Sequence, residues 1–243
     1  MDLVQYYFVM QSNRLGIIPA RLGSKGFPGK NTAILNGKPL VNWTIEAAIL
    51  SECFGRIIVS SDDKNVLEIA ESFGGIVEPY KRKVQLSQDS TSGSEVAMDV
   101  VENIEHQDIG VFLQPTSPLR SADDIRAVCE LAERNGYPSV VSLTEVTKSP
   151  NWMYSFNNRD NSLERYEKNN DLVSIRQDLN RLYQLNGAIY FFEVEWFLKS
   201  KLLVSENSRG YIMPTHRSVD IDTRFDLFLA EQIFSHSSDF HSQ

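Results

Sequence analysis

Three glycines and four cations stand close together near the start of the chain. Ile17 to Asn31 reads IIPARLGSKGFPGKN, with Gly23, Gly26 and Gly29 set among Arg21, Lys25 and Lys30, and Arg14 lies just upstream. A loop of this composition aims backbone N–H groups and positive charge at one spot, which suits a polyanion such as a nucleoside triphosphate. Two familiar phosphate loops do not fit it. A Walker loop needs a glycine, four further residues and then Gly-Lys-Ser/Thr; here Ser24 stands in place of the first glycine and Asn31 in place of the Ser/Thr. A dinucleotide fingerprint needs Gly-x-Gly, whereas these glycines recur at every third position. By itself the stretch also reads as a surface turn with solvated lysines.

A second constellation is Asp220-Ile221-Asp222. In an extended segment residues i and i+2 share a face. Two carboxylates about 4 Å apart repel by roughly 4 kcal/mol at an effective dielectric of about 20, unless a cation sits between them. The pair reads as hard oxygen ligands for a divalent ion, or as a surface pair in which Asp222 caps the helix that follows. Asp62-Asp63 is a weaker rival, because adjacent residues on a strand face opposite ways. His216 is a single histidine in a polar turn, and neither a Ser/His/Asp spacing nor a paired-carboxylate glycosidase pattern is present.

Other elements must bring these residues together. Strand and helix patterns alternate, which argues for a parallel sheet covered by helices. The spacing predicts strands at Leu15–Pro19, Arg56–Ser61, Gly75–Glu78, Ile109–Gln114, Ser139–Leu143 and Gly187–Phe192, with late strands at Tyr211–Met213 and Ser218–Ile221. It predicts helices at Pro39–Leu50 (Leu40, Trp43, Ala47 and Leu50 inward), Asn65–Phe73, Ser94–Glu105, Ala122–Asn135 behind a Ser121 cap, and Val194–Lys199. A last helix, Arg224–Phe234, starts at Thr223 and is expected to bury Phe225, Phe228, Leu229 and Ile233. Thr147–Asn180 breaks the pattern; a polar connection this long is functional, structured by a partner, or a hairpin insertion. Ligands of open α/β sheets bind beyond the carboxyl ends of the strands. There the sequence places the glycine-lysine loop, Arg82 and Lys83, Gln114 with the loop to Arg120, and Asp220 with Asp222. Cations, an amide and two carboxylates are the inventory for a magnesium-bound nucleotide.

The bulk properties fit one α/β domain. At 243 residues the chain can bury a proper core, and its 42% hydrophobic and 23% charged residues are ordinary for a globular protein. A net charge of −8 argues against a general nucleic-acid binder, although a few cations focused in a cleft can hold one small anion. Cys53 and Cys129 are the only cysteines and read as packed free thiols of a reducing compartment. No run approaches the roughly 18 apolar residues of a membrane helix. The N-terminus lacks the marks of a signal peptide, so the expected location is cytoplasmic.

Four segments in order, IPARLGSKGFPGKN, LQPTSPLR, IRQDLN followed by NGAIYFF, and SVDIDTRFDL, resemble the acylneuraminate cytidylyltransferases, or CMP-sialic acid synthetases. The resemblance runs from about Leu15 to Ile233. It implies a three-layer α/β domain of the nucleotide-diphosphosugar transferase type, Rossmann-like with a mostly parallel sheet. That cytidylyltransferase domain would span 14–235, with 147–180 as a small dimerisation and substrate insertion and 1–13 and 236–243 as appendages. The implied reaction moves CMP from CTP to the anomeric hydroxyl of a nonulosonic acid and releases pyrophosphate, with Mg2+, in a cytoplasmic homodimer serving cell-surface polysaccharide synthesis. No nucleic-acid or membrane partner is implied.

Carried over residue by residue, the resemblance assigns nucleotide binding to Arg21, Ser24, Lys25, Lys30 and Asn31, and places Arg82 near the cytosine and ribose. Gln114, Arg176, Asn186, Gly187 and Ala188 would form the sugar pocket, with Arg176 on the sugar carboxylate, and Asp220 and Asp222 would hold the metal. Arg21, Lys30 and Asp222 would carry catalysis. Two departures touch these motifs: Leu22 stands where many members have glycine, and Gln184 where some have a further arginine. The sugar is left open among sialic, legionaminic and pseudaminic acids and, more remotely, 3-deoxy-octulosonate. A nucleotide- or sugar-binding homologue without catalysis is the alternative from another class.

Overall fold

The computed structural model describes residues 13–23, 26–105, 107–166 and 181–236. The chain begins with strand β1 (Arg14–Pro19), makes a small hairpin of β2 (Ile34–Leu35) and β3 (Lys38–Pro39), and enters helix α1 (Leu40–Ser51). Strands and helices then alternate: β4 (Arg56–Ser61), α2 (Lys64–Phe73), β5 (Val77–Lys81), α3 (Gly93–Asn103), β6 (Ile109–Phe112), α4 (Ala122–Asn135) and β7 (Ser139–Glu145). A second hairpin, β8 (Tyr154–Phe156) and β9 (Leu163–Arg165), precedes β10 (Tyr183–Glu193), α5 (Val194–Ser200), β11 (Arg209–Ile212) and α6 (Arg224–Ser235).

Seven strands form one sheet in the order β11-β7-β10-β6-β1-β4-β5. Only β10 runs antiparallel to its neighbours. The central strands are apolar on both faces because helices cover both. On one side Ile18, Ile57, Val59 and Val111 pack against Ile45 of α1, Val66 of α2 and Val128 of α4. On the other, Leu15, Ile17, Ile58 and Phe112 meet Val96 and Val100 of α3 and Phe197 of α5. The result is three layers, as the alternating pattern predicts. From β1 the chain passes first to β4 on one side and only later to β6 on the other, so the strand order reverses between β1 and β6. Such a reversal opens a crevice beyond the carboxyl ends of the strands.

Four expectations need correction. Ser218–Ile221 is not a strand: Ile221 is buried and gives one backbone bond to Thr116 O at 2.8 Å, so a side chain and a single bond hold the segment instead of a ladder. The third strand is Val77–Lys81 and not Gly75–Glu78, and it tolerates Pro79 because it lies at the sheet edge. In α6 the apolar face is rotated: Phe225 and Phe228 are 70% and 54% exposed, while Ala230 is buried and Leu227, Ile233 and Phe234 pack with Phe27, Leu35 and Leu40. Leu227, Ala230 and Phe234 are also spaced as one helical face, and the helix sits on the β2–β3 hairpin, not on the sheet. Leu50 of α1 likewise faces solvent, with Val41, Ile45 and Ala48 taking the inward positions. Cys53 and Cys129 are buried free thiols.

Candidate active site

A cleft of about 320 Å³ opens where the strand order reverses. Its walls include Arg21, Lys30, Asn31, Arg82, Gln114, Asp220 and Asp222, together with Thr91, Ser92 and Gly93 at the start of α3.

The basic loop is pinned at several points. Leu22 donates its N–H to Asp62 Oδ1 at 2.9 Å, and the buried Asn31 donates Nδ2 to Arg21 O at 2.9 Å. Gly29, at φ 69°, starts the single turn Lys30–Thr32. At Gly26 an added Cβ would lie 2.9 Å from Asp222 O, so only glycine lets the loop approach the aspartate segment this closely. The leucine that replaces the family's glycine costs no backbone strain: Leu22 is not among the described residues with positive φ. Arg21 forms an ion pair with Asp89 at 2.7 Å. Lys30 Nζ donates to Asp222 Oδ1 at 2.8 Å and to Ile221 O at 3.1 Å.

Arg82 follows β5 and is buried, donating Nε to Ser60 Oγ at 3.1 Å and Nη2 to Ser60 O at 2.7 Å. Burial pushes its pKa down to about 10, with the nearby Asp62 carboxylate opposing, so the guanidinium stays charged at neutral pH. Lys83 turns away to pair with Asp99 at 2.5 Å.

Behind Gln114 lies an irregularity in β10, whose register against β7 shifts between Leu185 and Tyr190. Side chains replace the ladder bonds lost there. Ser142 Oγ accepts from Ile189 N at 2.8 Å and donates to Asn186 Oδ1 at 2.6 Å. Asn186 Oδ1 also accepts from Ala188 N at 3.2 Å, and its Nδ2 donates to Ser218 Oγ at 3.0 Å. Asn186 is therefore turned inward as a bracket, and Ala188 is buried. Gly187, at φ 75°, packs on the cleft residue Gln114: an added Cβ would sit 2.7 Å from Gln114 Oε1. Gln184 lies on the exposed half of β10, opposite Thr144. Arg120, at the end of the Pro115–Arg120 loop, is fully enclosed; it donates to Gln114 O (3.2 Å), Ala188 O (2.9 Å) and Thr44 Oγ1 (2.7 Å), and burial pushes its pKa down to about 9.

The aspartates line the cleft floor. Burial pushes the Asp220 carboxyl up; the Thr116 hydroxyl bond and Lys30 oppose this, Asp222 reinforces it, and the net shift is upward. Asp222 does not cap α6. Thr223 does, in a capping box with Asp226. The capping alternative for Asp222 is thereby removed. Asp63 caps α2 through Asn65 N at 2.9 Å and Asp62 holds Leu22, so the rival pair is committed elsewhere. His216 lines a different cavity, beside Trp43 and Phe234. Ser24, Lys25 and Arg176 lie outside the described residues.

Sequence reasoning missed Asp89 and Thr116 as neighbours of the site and the start of α3 as one of its walls, and it offered Asp62 as a metal ligand and not as the partner of the Leu22 N–H. The place of Ser92 in the cleft depends on the crossover from β5 to β6. Among the described residues, no three or more His, Cys, Asp or Glu side chains gather as a metal cluster. Two carboxylates from Asp220 and Asp222 suit an ion that takes its remaining oxygens from a ligand and water, as magnesium does.

Fold and cleft together define an α/β nucleotidyltransferase, with a basic glycine loop facing two carboxylates across the switch point. The chain belongs to the cytidylyltransferase family, whose model matches residues 15–205. It is 36% identical over 224 residues to the CMP-N,N'-diacetyllegionaminic acid synthase of Legionella pneumophila, covering 90% of this chain and 95% of that one. An N-acylneuraminate cytidylyltransferase of Streptococcus agalactiae is 36% identical over 212 residues; these are 86% of this chain but about half (50%) of that longer protein. A solved CMP:2-keto-3-deoxy-manno-octonic acid synthetase complexed with CTP shares the fold at a TM-score of 0.68 and 19% identity, over 92% of this chain and 99% of that one.

Proposed function

We propose that the enzyme transfers CMP from CTP to the anomeric hydroxyl of a nonulosonic acid. The observation that carries this reading is the meeting of Arg21, Lys30, Asp220 and Asp222 in one cleft with Gln114, on which Gly187 packs. The relatives' activities, on legionaminic and acylneuraminic acids, support a nine-carbon acid as acceptor. The acceptor oxygen forms a bond to the α-phosphorus as its proton passes to solvent, the bond to the β-phosphate bridging oxygen breaks, and pyrophosphate leaves with that electron pair. Positioning and charge neutralisation do most of the work. Arg21 and Lys30 neutralise triphosphate oxygens, Arg82 lies towards the cytosine and ribose, and Gln114 orients the sugar. Ser24 and Lys25 extend the phosphate loop, and Arg176 pairs with the sugar carboxylate. Asp220 and Asp222 would hold Mg2+, which when bound neutralises phosphate oxygens and helps activate the hydroxyl.

The domain is proposed to span 14–235 and to work as a cytoplasmic homodimer through the 147–180 insertion. The exposed Tyr154, Phe156 and Leu163 of the β8–β9 hairpin support that contact. The test is a pyrophosphate assay with CTP, magnesium and a panel of sialic, legionaminic and pseudaminic acids and 3-deoxy-octulosonate. Release is expected with a nine-carbon acid. Release with none of them would replace the enzyme reading by a binding-only one.

A further inference from the structure

We propose that Lys30 is the internal counter-cation of the Asp220/Asp222 pair, so that a divalent ion enters the site only with a triphosphate that draws Lys30 away. This rests on the cytidylyltransferase reading above.

Three observations lead to it. The Lys30 ammonium is 2.8 Å from Asp222 Oδ1 and 3.1 Å from Ile221 O, and its side chain is only 15% exposed. An ammonium so enclosed must keep an anionic partner, since a buried charge without one is costly. Next, the lysine cannot swing far. Gly29 sets its turn, Asn31 ties that turn to Arg21 O, and Gly26 packs so closely on Asp222 O that loop and aspartate segment form one unit. Nζ can therefore exchange only between Asp222 and something lying in the cleft. Finally, among the described residues no three or more His, Cys, Asp or Glu side chains are grouped to hold a metal ion, and the nearby Asp226 carboxylate is taken up by the N–H groups of Asp222 and Thr223. Magnesium dehydrates reluctantly and demands octahedral oxygen. Two carboxylates, one of them already satisfied by an ammonium, make a poor site for it.

A triphosphate changes both sides of this balance. Its oxygens accept the three donors of Lys30, which frees Asp222, and they add hard ligands to the two carboxylates. Removing the lysine charge should therefore have opposite effects on the two ligands, weakening CTP and strengthening free metal.

The test is Mn2+ binding followed by electron paramagnetic resonance, with and without CTP and with no sugar present, on wild type, Lys30→Met and Lys30→Gln. Wild type is expected to bind Mn2+ weakly alone and about 10-fold or more tighter with CTP, after correction for Mn–CTP in solution. The Lys30 variants should bind Mn2+ alone about 10-fold tighter than wild type, a gain that a second change, Asp222→Asn, removes. Unchanged or weaker Mn2+ binding in correctly folded Lys30 variants overturns the proposal. If CTP binds to none of the proteins, the nucleotide reading fails instead, and the metal-only comparison still judges Lys30.

Discussion

Two pairs of cations sit at the same edge of the sheet and are held in opposite ways. Arg21 and Lys30 each lean on one carboxylate that is open to solvent, Asp89 and Asp222. Arg120 and Arg217 are held by the fold itself. Arg120 donates to two backbone carbonyls and a threonine hydroxyl, and its buried Nε has no partner. Arg217 grips both oxygens of Asp124, at 3.0 and 2.9 Å, and that fully buried carboxylate also accepts from Ser121 and Tyr211. The contrast teaches what marks a site cation: not its charge but a partner that a ligand can replace. The structural pair fixes the loop after β6 and the turn before Asp220, so that the exchangeable pair meets fixed backbone.

The sharpest way to break this distinction is to separate activity from stability. Arg21→Met is expected to lower turnover by about 10²–10³, as loss of a charge-stabilising donor does. Its stability should stay within about 0.5 kcal/mol of wild type, because the lost ion pair is half exposed. Steady-state kinetics and urea unfolding of the same preparation check both halves; a large stability loss would place Arg21 among the structural cations.

Arg217→Met should behave in the reverse manner. It leaves Asp124 buried without its ion partner, a loss of about 3–5 kcal/mol at neutral pH. Burial pushes the Asp124 carboxyl up, but Arg217 and the Ser121 cap outweigh it, and the net shift is downward. A lowered folded value means stability that is present above the ordinary carboxylate range and lost as pH falls through the folded value. The gap between wild type and variant should therefore narrow on acidification, as urea unfolding at neutral and acid pH would reveal. A gap independent of pH would assign the loss to packing.

How much of this was legible follows from the kind of evidence each feature leaves. The parallel core was readable because strands buried on both faces are near-continuous apolar runs, and Arg56–Ser61 matches its predicted bounds. The caps at Ser121 and Thr223 were readable because capping chemistry is local. The rotation of α6 was not, since Phe225, Phe228 and Leu229 and the alternative set Leu227, Ala230 and Phe234 both satisfy the helical period, and only tertiary packing chooses between them. In the site, the residue types of the glycine loop and the Asp220/Asp222 pair were visible. Their exchangeable partners were not. Asp89 and Asp62 reach the loop from 40 residues or more away in sequence, with no spacing rule to reveal them.

The smallest effect sets two carboxylates against each other. Asp220 opens to the cleft, unlike the fully buried Asp124, yet desolvation dominates and its pKa is raised, with Asp222 reinforcing and Thr116 and Lys30 opposing. The sign is now reversed. A raised folded value means a contribution that is full below the ordinary carboxylate range and lost as pH rises through the folded value. Asp220→Asn keeps an acceptor for the Thr116 hydroxyl and removes the charge, so it should abolish turnover yet raise the melting temperature by about 1–3 °C at pH 8. That benefit should fade towards acid pH, where wild-type Asp220 is itself protonated, while the penalty of Arg217→Met fades in the same direction from the other side. Scanning calorimetry of both variants across pH would draw the two curves. If Asp220→Asn were no more stable than wild type at pH 8, Lys30 and Thr116 would already offset the whole cost of burying that charge, and the functional dyad would be as settled in the fold as the structural one.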